Sequence, residues 1–101
     1  MIIAIVDQNE CNFAIQFDDE SKAEKVEELM LAGLSSWYEA AHEDIEDNDY
    51  FKAEEIEMMY NDGYAEPTLT LLEREGIKGE VINVEYDDYG DVINADKVIV
   101  Y

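Results

Sequence analysis

One apolar stripe constrains the fold of this chain more than any other feature. Over 20–43, apolar residues recur every three or four positions, which is the repeat of a single helix face. The stripe consists of Val26, Leu29, Met30, Gly33, Leu34, Trp37 and Ala41. The acidic residues Glu27 and Glu28 lie off the stripe, so the pattern predicts an amphipathic helix over 20–43 that covers a core. Ser21 followed by Glu24 matches a capping box and predicts where the helix starts.

Strand patterns precede this helix. Residues 1–6 and 12–17 are short and rich in apolar side chains, and the loop between them has hairpin length. In the second segment Phe13, Ile15 and Phe17 alternate with smaller or polar residues. This period of two predicts a strand with those three side chains on one face.

Two more helices are predicted in the middle of the chain. Residues 51–61 form the first, with Asp49 as its N-cap and Gly63 as its stop. Pro67 is a preferred first helical residue and predicts the start of the other helix, which ends at Gly76.

The last part of the chain returns to strand patterns. Residues 80–86 and 97–101 are predicted strands, and 87–91 is a predicted turn with a glycine where positive φ is needed. The element order is ββ-ααα-ββ. We therefore predict a single α+β domain over 1–101, in which terminal hairpins pair into an antiparallel sheet of about four strands with two to three helices on one face.

The charge of the chain limits its partners. Its 27 Asp and Glu residues face only 6 Lys and Arg, which gives a net charge of −21. Direct binding to nucleic acid or to an anionic membrane is disfavoured because both require basic residues. A basic protein partner, a cation or simple solubility is favoured instead. No signal peptide or long apolar run occurs, so a cytoplasmic location is expected.

The acidic residues concentrate in two segments. We name 43–57 the first acidic segment and 87–91 the second acidic segment. Helical neighbours lie roughly 5–6 Å apart, and duplex DNA has a phosphate about every 1.7 Å of axis, so rows of carboxylates can imitate a phosphate array. The predicted partner-binding residues are Glu43, Asp44, Glu46, Asp47, Asp49, Glu54, Glu55 and Glu57, with Asp87, Asp88 and Asp91. The alternative is a solvated surface that prevents aggregation.

The stretch from 37 to 64, WYEAAHEDIEDNDYFKAEEIEMMYNDGY, combines acidic and aromatic residues. In composition it resembles segments of phage-encoded DNA mimics, the anti-restriction and anti-CRISPR inhibitors. The resemblance covers about a quarter of the chain. It implies occlusion of a DNA-binding or PAM-reading cleft and, for a phage protein, action in the host cytoplasm.

A cation loop and a catalytic site are weaker interpretations. Positions 1, 3, 5 and 12 of an EF-hand-like window are occupied by Asp44, Glu46, Asn48 and Glu55. However, Asp49 stands where the sharp turn needs glycine, and Lys52 would oppose a dication. His42 and Cys11 are each the only residue of their type, and no motif flanks them. We therefore predict no metal, no cofactor and no enzymatic activity.

The function predicted from these patterns is an acidic inhibitor that mimics nucleic-acid phosphates and blocks the cleft of a basic partner such as a defence nuclease. The alternative is a small domain of a bacterial mobile element whose acidity serves solubility and whose partner binds an apolar patch. Monomer and homodimer both remain open. A sheet face carrying Val81 and Val100 would favour the dimer if no helix covers it.

Overall fold

The computed structural model describes residues 1–7, 12–42, 45–62 and 65–101. The elements are β1 (Ile2–Val6), β2 (Phe13–Phe17), a 3-10 turn (Glu20–Lys22), α1 (Ala23–Ala41), α2 (Ala53–Asp62), α3 (Ala65–Arg74), β3 (Gly79–Ile82) and β4 (Lys97–Val100). This order confirms the predicted α+β class with four strands and three helices.

The four strands form one mixed sheet with the order β3-β2-β1-β4. β1 and β3 both pair antiparallel with β2, whereas β4 pairs parallel with β1. The predicted antiparallel sheet of two terminal hairpins is therefore wrong for its last strand. β3 and β4 lie at opposite edges, so the chain between them crosses the sheet. Strand alternation predicts which face a side chain occupies but not which strand lies beside it.

The connection 83–96 replaces most of the predicted second hairpin. The strand expected over 80–86 ends at Ile82, and the hairpin pairing is reduced to an isolated antiparallel bridge between Tyr86 and Val92. We name 83–96 the crossing segment. It joins β3 and β4, which run in the same direction at opposite edges of the sheet, and strands of the same direction need a crossover of a dozen or more residues. Asp96 anchors its end to β1, since its backbone N–H donates to the Ile2 carbonyl at 2.8 Å.

The helices cover one face of the sheet. The predicted inward set on β2 is confirmed, and it joins alternate β1 residues and most of the α1 stripe in one core. Its buried members include Ile3, Ile5, Phe13, Ile15, Phe17, Val26, Leu29, Met30 and Leu34. The stripe weakens at its end, because Trp37 is half-buried and Ala41 is exposed. The 3.6-residue period of the helix therefore determines which face of α1 is buried, and that face packs on the sheet.

The start of α1 differs from the predicted capping box. The Asp19 carboxylate accepts hydrogen bonds from the backbone N–H and the hydroxyl of Ser21, at 3.0 and 2.7 Å. Ser21 thus lies inside the 3-10 turn and cannot cap the helix. The same bonds hold the pKa of Asp19 below its ordinary value, with Lys22 adding a smaller effect.

α1 and α3 approach closely at a glycine. A Cβ on Gly33 would lie 2.5 Å from the Thr68 hydroxyl oxygen and 3.0 Å from the Thr68 backbone nitrogen, so a larger residue would separate the helices. Pro67 is in the first turn of α3, which starts two residues earlier than predicted, at Ala65. The helix stop at Gly76 is confirmed by its φ of 71°.

The opposite face of the sheet carries two small residues on its central strands. Ala4 and Ala14 face each other in register on this side, and both are fully buried. Val81 pairs with Ile15 on the helix side, whereas Val100 aligns with Val6 on the opposite side, so they do not share one open face.

Candidate acidic interface

Asn48 gives the first acidic segment its shape. Its side-chain oxygen accepts hydrogen bonds from the backbone N–H groups of Tyr50 and Phe51, at 2.9 and 2.8 Å. Its side-chain nitrogen donates to Ser36 on α1 at 3.1 Å. The sequence pattern indicates Asn48 only as a cation ligand. The structure gives it the role of closing the loop and fastening it to the long helix.

A second fastening comes from Arg74, the only arginine in the sequence. One guanidinium nitrogen donates to the Tyr50 carbonyl at 3.0 Å, and another pairs with the Glu55 carboxylate. The guanidinium carbon also lies 5.4 Å from the centre of the Phe51 ring. Phe51 and Ile56 are themselves buried in the core. The described part of the segment is thus held by the buried side chains of Phe51 and Ile56 and by the polar contacts of Arg74.

Two predicted contact residues accept backbone hydrogen bonds at the start of α2. The Asp47 carboxylate accepts from the Ala53 backbone N–H at 2.7 Å, and Glu55 accepts from the Lys52 backbone N–H at 3.2 Å. Asp49 was the predicted N-cap, and that assignment is wrong. Because Phe51 turns into the core, the helix begins at 53 and Asp47 reaches its free N–H groups.

These contacts also change proton affinities. The hydrogen bond from Arg74, followed by that from the Lys52 N–H, holds the pKa of Glu55 below its ordinary value. The Tyr50 hydroxyl donates to the Glu28 carboxylate on α1 at 2.5 Å. This hydrogen bond, with a smaller effect of Lys25, holds the pKa of Glu28 below its ordinary value. The same bond to Glu28 raises the pKa of Tyr50. Both carboxylates are therefore stabilised in their charged form.

Four predicted contact residues of the first acidic segment point into solvent. The side chains of Glu46, Asp49, Glu54 and Glu57 are exposed and make no hydrogen bond or ion pair with any other described residue. Glu54 and Glu57 are one turn apart on α2, at roughly 5–6 Å between Cβ atoms. Glu43 and Asp44, together with the predicted helix stop at Gly63, lie outside the described residues.

The second acidic segment is a turn organised by Asp87. Its carboxylate accepts from the backbone N–H groups of Tyr89 and Asp91, each at 2.9 Å. Gly90 has a φ of 83°, which confirms the predicted need for positive φ. Asp88 and Asp91 are exposed, and Tyr89 is 91% exposed. This turn therefore presents two carboxylates and one aromatic ring to solvent.

Basic residues neutralise little of this surface. In the described part of the chain the ion pairs join Lys25 to Glu28, Arg74 to Glu55 and Lys97 to Glu27. Only Glu55 among their acidic partners was a predicted contact residue. The negative charge of the two segments is thus largely uncompensated.

An aromatic group that the sequence patterns did not indicate lies beside α1. The Tyr38 hydroxyl donates to Asp7, a buried carboxylate at the end of β1. The Tyr38 ring meets Trp37 edge-on at 5.4 Å and stacks on Tyr101 at 6.0 Å. Helical spacing predicts that Tyr60 faces inward, and this prediction is wrong, because Tyr60 touches Trp37 but is 45% exposed. These contacts join β1, α1 and β4.

The catalytic and metal interpretations find no assembled site in the described residues. His42 is exposed at the end of α1, with its Nδ1 2.8 Å from the Tyr38 carbonyl, while Cys11 lies outside the described part. In that same part no three His, Cys, Asp or Glu residues are grouped to hold a metal ion. Asp44 of the EF-hand-like window is outside it as well.

Neither the known protein families nor the curated proteins and solved structures include a match to this chain. Within the described ranges, every helix is too short or too polar to cross a membrane. The argument for a function therefore rests on the surface of this chain and on its chemistry.

Proposed function

We propose that this protein binds a basic nucleic-acid-binding protein and blocks its DNA- or RNA-binding cleft. The observation that carries the proposal is the first acidic segment, where the exposed carboxylates of Glu46, Asp49, Glu54 and Glu57 extend from a braced scaffold. A phosphate array has fixed spacing, so a protein that imitates it needs carboxylates on fixed backbone. The hydrogen bonds of Asn48, which close the loop and fasten it to α1, supply such a backbone.

The mechanism is competition for a cationic cleft. The net charge of −21 accelerates the encounter with a basic surface, and the exposed carboxylates then accept hydrogen bonds from its Lys and Arg side chains. Tyr89 in the second acidic segment offers a ring on which an arginine can stack. The bound protein excludes nucleic acid by occupying the same groups. A defence nuclease in a bacterial cytoplasm is the partner that the resemblance to phage inhibitors favours.

Asp47, Glu55 and Asp87 have a different part in this proposal. Each of these carboxylates already accepts backbone hydrogen bonds that shape its segment. Replacing them would disturb the scaffold as well as the charge. A test of mimicry should leave them intact and change only the carboxylates that have no partner within the described chain.

The experiment is capture of proteins from a bacterial host lysate at about 50 mM and about 500 mM salt, where screening lengths differ severalfold. The test variant combines Glu46→Gln, Asp49→Asn, Glu54→Gln and Glu57→Gln. The matched control changes four exposed acids elsewhere, with Glu20, Glu24, Glu73 and Glu80 each replaced by Gln. Both variants have the same net charge, so they separate position from total charge.

We expect the wild type and the control to capture a DNA- or RNA-binding protein at low salt and to release it at high salt. The test variant should lose it at both. Purified partner and labelled nucleic acid then provide a competition assay. Equal capture by the test variant and the control would contradict a specific acidic interface.

The alternative function, binding through an apolar patch with acidity serving solubility, also has an observation in its favour. Val100 is 76% exposed and Ile93 is 60% exposed on the described surface. A partner held by these side chains would stay bound at high salt and would not respond to the acidic substitutions.

A further inference from the structure

The outer edge of β4 is an apolar sheet edge that no described strand covers. β4 pairs with β1 on one side and is the last strand of the sheet. Val98 and Val100 lie on the face away from the helices, since they align with Ala4 and Val6 of β1. They are 41% and 76% exposed. An edge of this kind presents backbone N–H and C=O groups that another strand can pair with.

Contacts with α1 hold both ends of this edge in place. Lys97 forms an ion pair with Glu27 at the start of the strand. Just after its end, the Tyr101 ring stacks on Tyr38, and its hydroxyl lies 3.1 Å from the Ser35 hydroxyl. Because the edge is already ordered, a strand that pairs with it does not have to order it first.

The charge distribution points to a second copy of the chain as the occupant. Residues 97–101 contain no acid, although Asp and Glu make up 27 of the 101 residues. The opposite edge, β3, carries the exposed acid Glu80. Two chains of charge −21 repel each other, and contact between them costs least where neither presents a carboxylate. A basic peptide would gain little from this edge, because the Glu27 carboxylate beside it is already paired with Lys97.

The sequence of β4 also complements itself. In an antiparallel pair centred on Ile99, Val98 of each copy lies opposite Val100 of the other on one face. On the other face Lys97 lies opposite Tyr101. Directly opposed β-branched residues stabilise a strand pair, and no like charges face each other in this register.

We propose that the protein forms a two-fold symmetric dimer in which the β4 edges of two copies pair antiparallel. The two four-stranded sheets then join into one sheet of eight strands. Each copy uses the same edge, so the assembly closes at two. One strand pair with its flanking side chains is a small interface, and the dimer is therefore weak and depends on concentration.

This proposal goes beyond the proposed function and does not depend on it, and salt separates the two. Raising the salt concentration screens the repulsion between two chains of charge −21, so it strengthens the dimer. The same change weakens binding to a basic partner. One protein should thus show opposite salt dependences for self-association and for partner capture.

The test is analytical ultracentrifugation of the full chain over a range of concentrations, at about 50 mM and about 500 mM salt. Val100→Lys places a cation in the proposed interface. Val81→Lys is its matched control, because it makes the same charge change at an exposed valine of the other edge strand. A neutral variant, Val98→Thr with Val100→Thr, keeps β-branched shapes and removes apolar surface. Circular dichroism checks that each variant is folded.

We expect the wild type and Val81→Lys to form dimers that strengthen with salt. Val100→Lys should associate at least about tenfold more weakly, because two lysines lose water in each dimer, and the threonine variant should also weaken it. Wild type that is monomeric throughout would overturn the proposal, as would equal weakening by both lysine variants. Species larger than a dimer would also overturn it, since they indicate open-ended pairing of β3 with β4.

Discussion

The two acidic segments carry the same kind of charge but are attached to the protein differently. The described part of the first, 45–57, is anchored in the core by Phe51 and fastened to α1 by Asn48. The second, 87–91, is a turn whose carboxylate Asp87 bonds to the backbone of the turn itself. The positions of the carboxylates therefore depend on tertiary packing in the first acidic segment and on the geometry of one turn in the second acidic segment.

This difference teaches how a charged surface should be tested. Replacing a carboxylate in the first acidic segment changes binding alone only if that carboxylate has no role in the fold, as with Glu54 and Glu57. Replacing Glu55 would also disturb the fold, because the Arg74 guanidinium pairs with it. In the second acidic segment, replacing Asp88 should change the free energy of unfolding only slightly.

The largest effect that would test the comparison is expected at Phe51. Phe51→Ala removes a buried ring that anchors the first acidic segment and contacts the Arg74 guanidinium. We expect the free energy of unfolding in urea to fall by about 3–5 kcal/mol. Tyr89→Ala, at the 91% exposed ring of the second segment, should change it by less than about 0.5 kcal/mol. Similar losses for both variants would mean that the two segments are attached alike.

A smaller effect is expected from two asparagines that have corresponding roles. Asn48→Ala loses two accepted backbone bonds and the donated bond to Ser36, so we expect unfolding to become easier by about 1–3 kcal/mol. Asn94, in the crossing segment, accepts from the Glu85 N–H at 3.0 Å and donates to the Asn83 carbonyl at 2.8 Å.

Asn94→Ala should cost about 0.5–1.5 kcal/mol in the same urea titration, because its partners are exposed and it ties the crossing segment only to itself. If Asn94→Ala proved the more damaging of the two, the crossing segment would have to be the better fastened region.

The smallest effect is expected from pH at Glu55. Its pKa in the folded protein lies below the ordinary value of 4.5, chiefly through the hydrogen bond from Arg74. The folded state therefore binds this proton less tightly than the unfolded state does. The resulting stability is fully present above about pH 4.5 and is lost as the pH falls through the lowered pKa.

Glu55→Gln should accordingly destabilise the protein by at most about 1 kcal/mol near neutral pH, since the ion pair is partly exposed. The difference from the wild type should shrink as the pH drops below about 4.5. Urea titrations of both proteins at a series of pH values measure it, and comparison with the wild type cancels the general relief of repulsion. A difference that widened in acid would contradict the role given to Arg74.

Much of the scaffold could be predicted because it depends on local repeats. The α1 stripe and the alternation of Phe13, Ile15 and Phe17 follow from the geometry of one helix and one strand. Gly76 and Gly90 stand where the backbone adopts positive φ, which few other residues tolerate. Each of these patterns lies within a short stretch, so neighbours in sequence suffice to detect it.

The candidate interface was predicted less completely, for a physical reason. Acid content located both segments, but it could not tell solvent-facing carboxylates from those that bond to the backbone. Asp47 rather than Asp49 caps α2, because the burial of Phe51 decides where the helix begins. Arg74 contacts the loop at Tyr50, a residue 24 positions away in the chain.

By itself, the sequence determined the α+β class, the face of α1 that is buried and the uncompensated charge. Each depends on composition or on a repeat within one element. Only the tertiary structure decided that β4 pairs parallel with β1, because the competing antiparallel partner has the same alternation. It also decided which carboxylates lack a partner, since Asp47 and Asp87 accept hydrogen bonds from nearby backbone and Glu55 pairs with Arg74, 19 positions away. Local repeats specify elements and faces, whereas packing in three dimensions specifies neighbours.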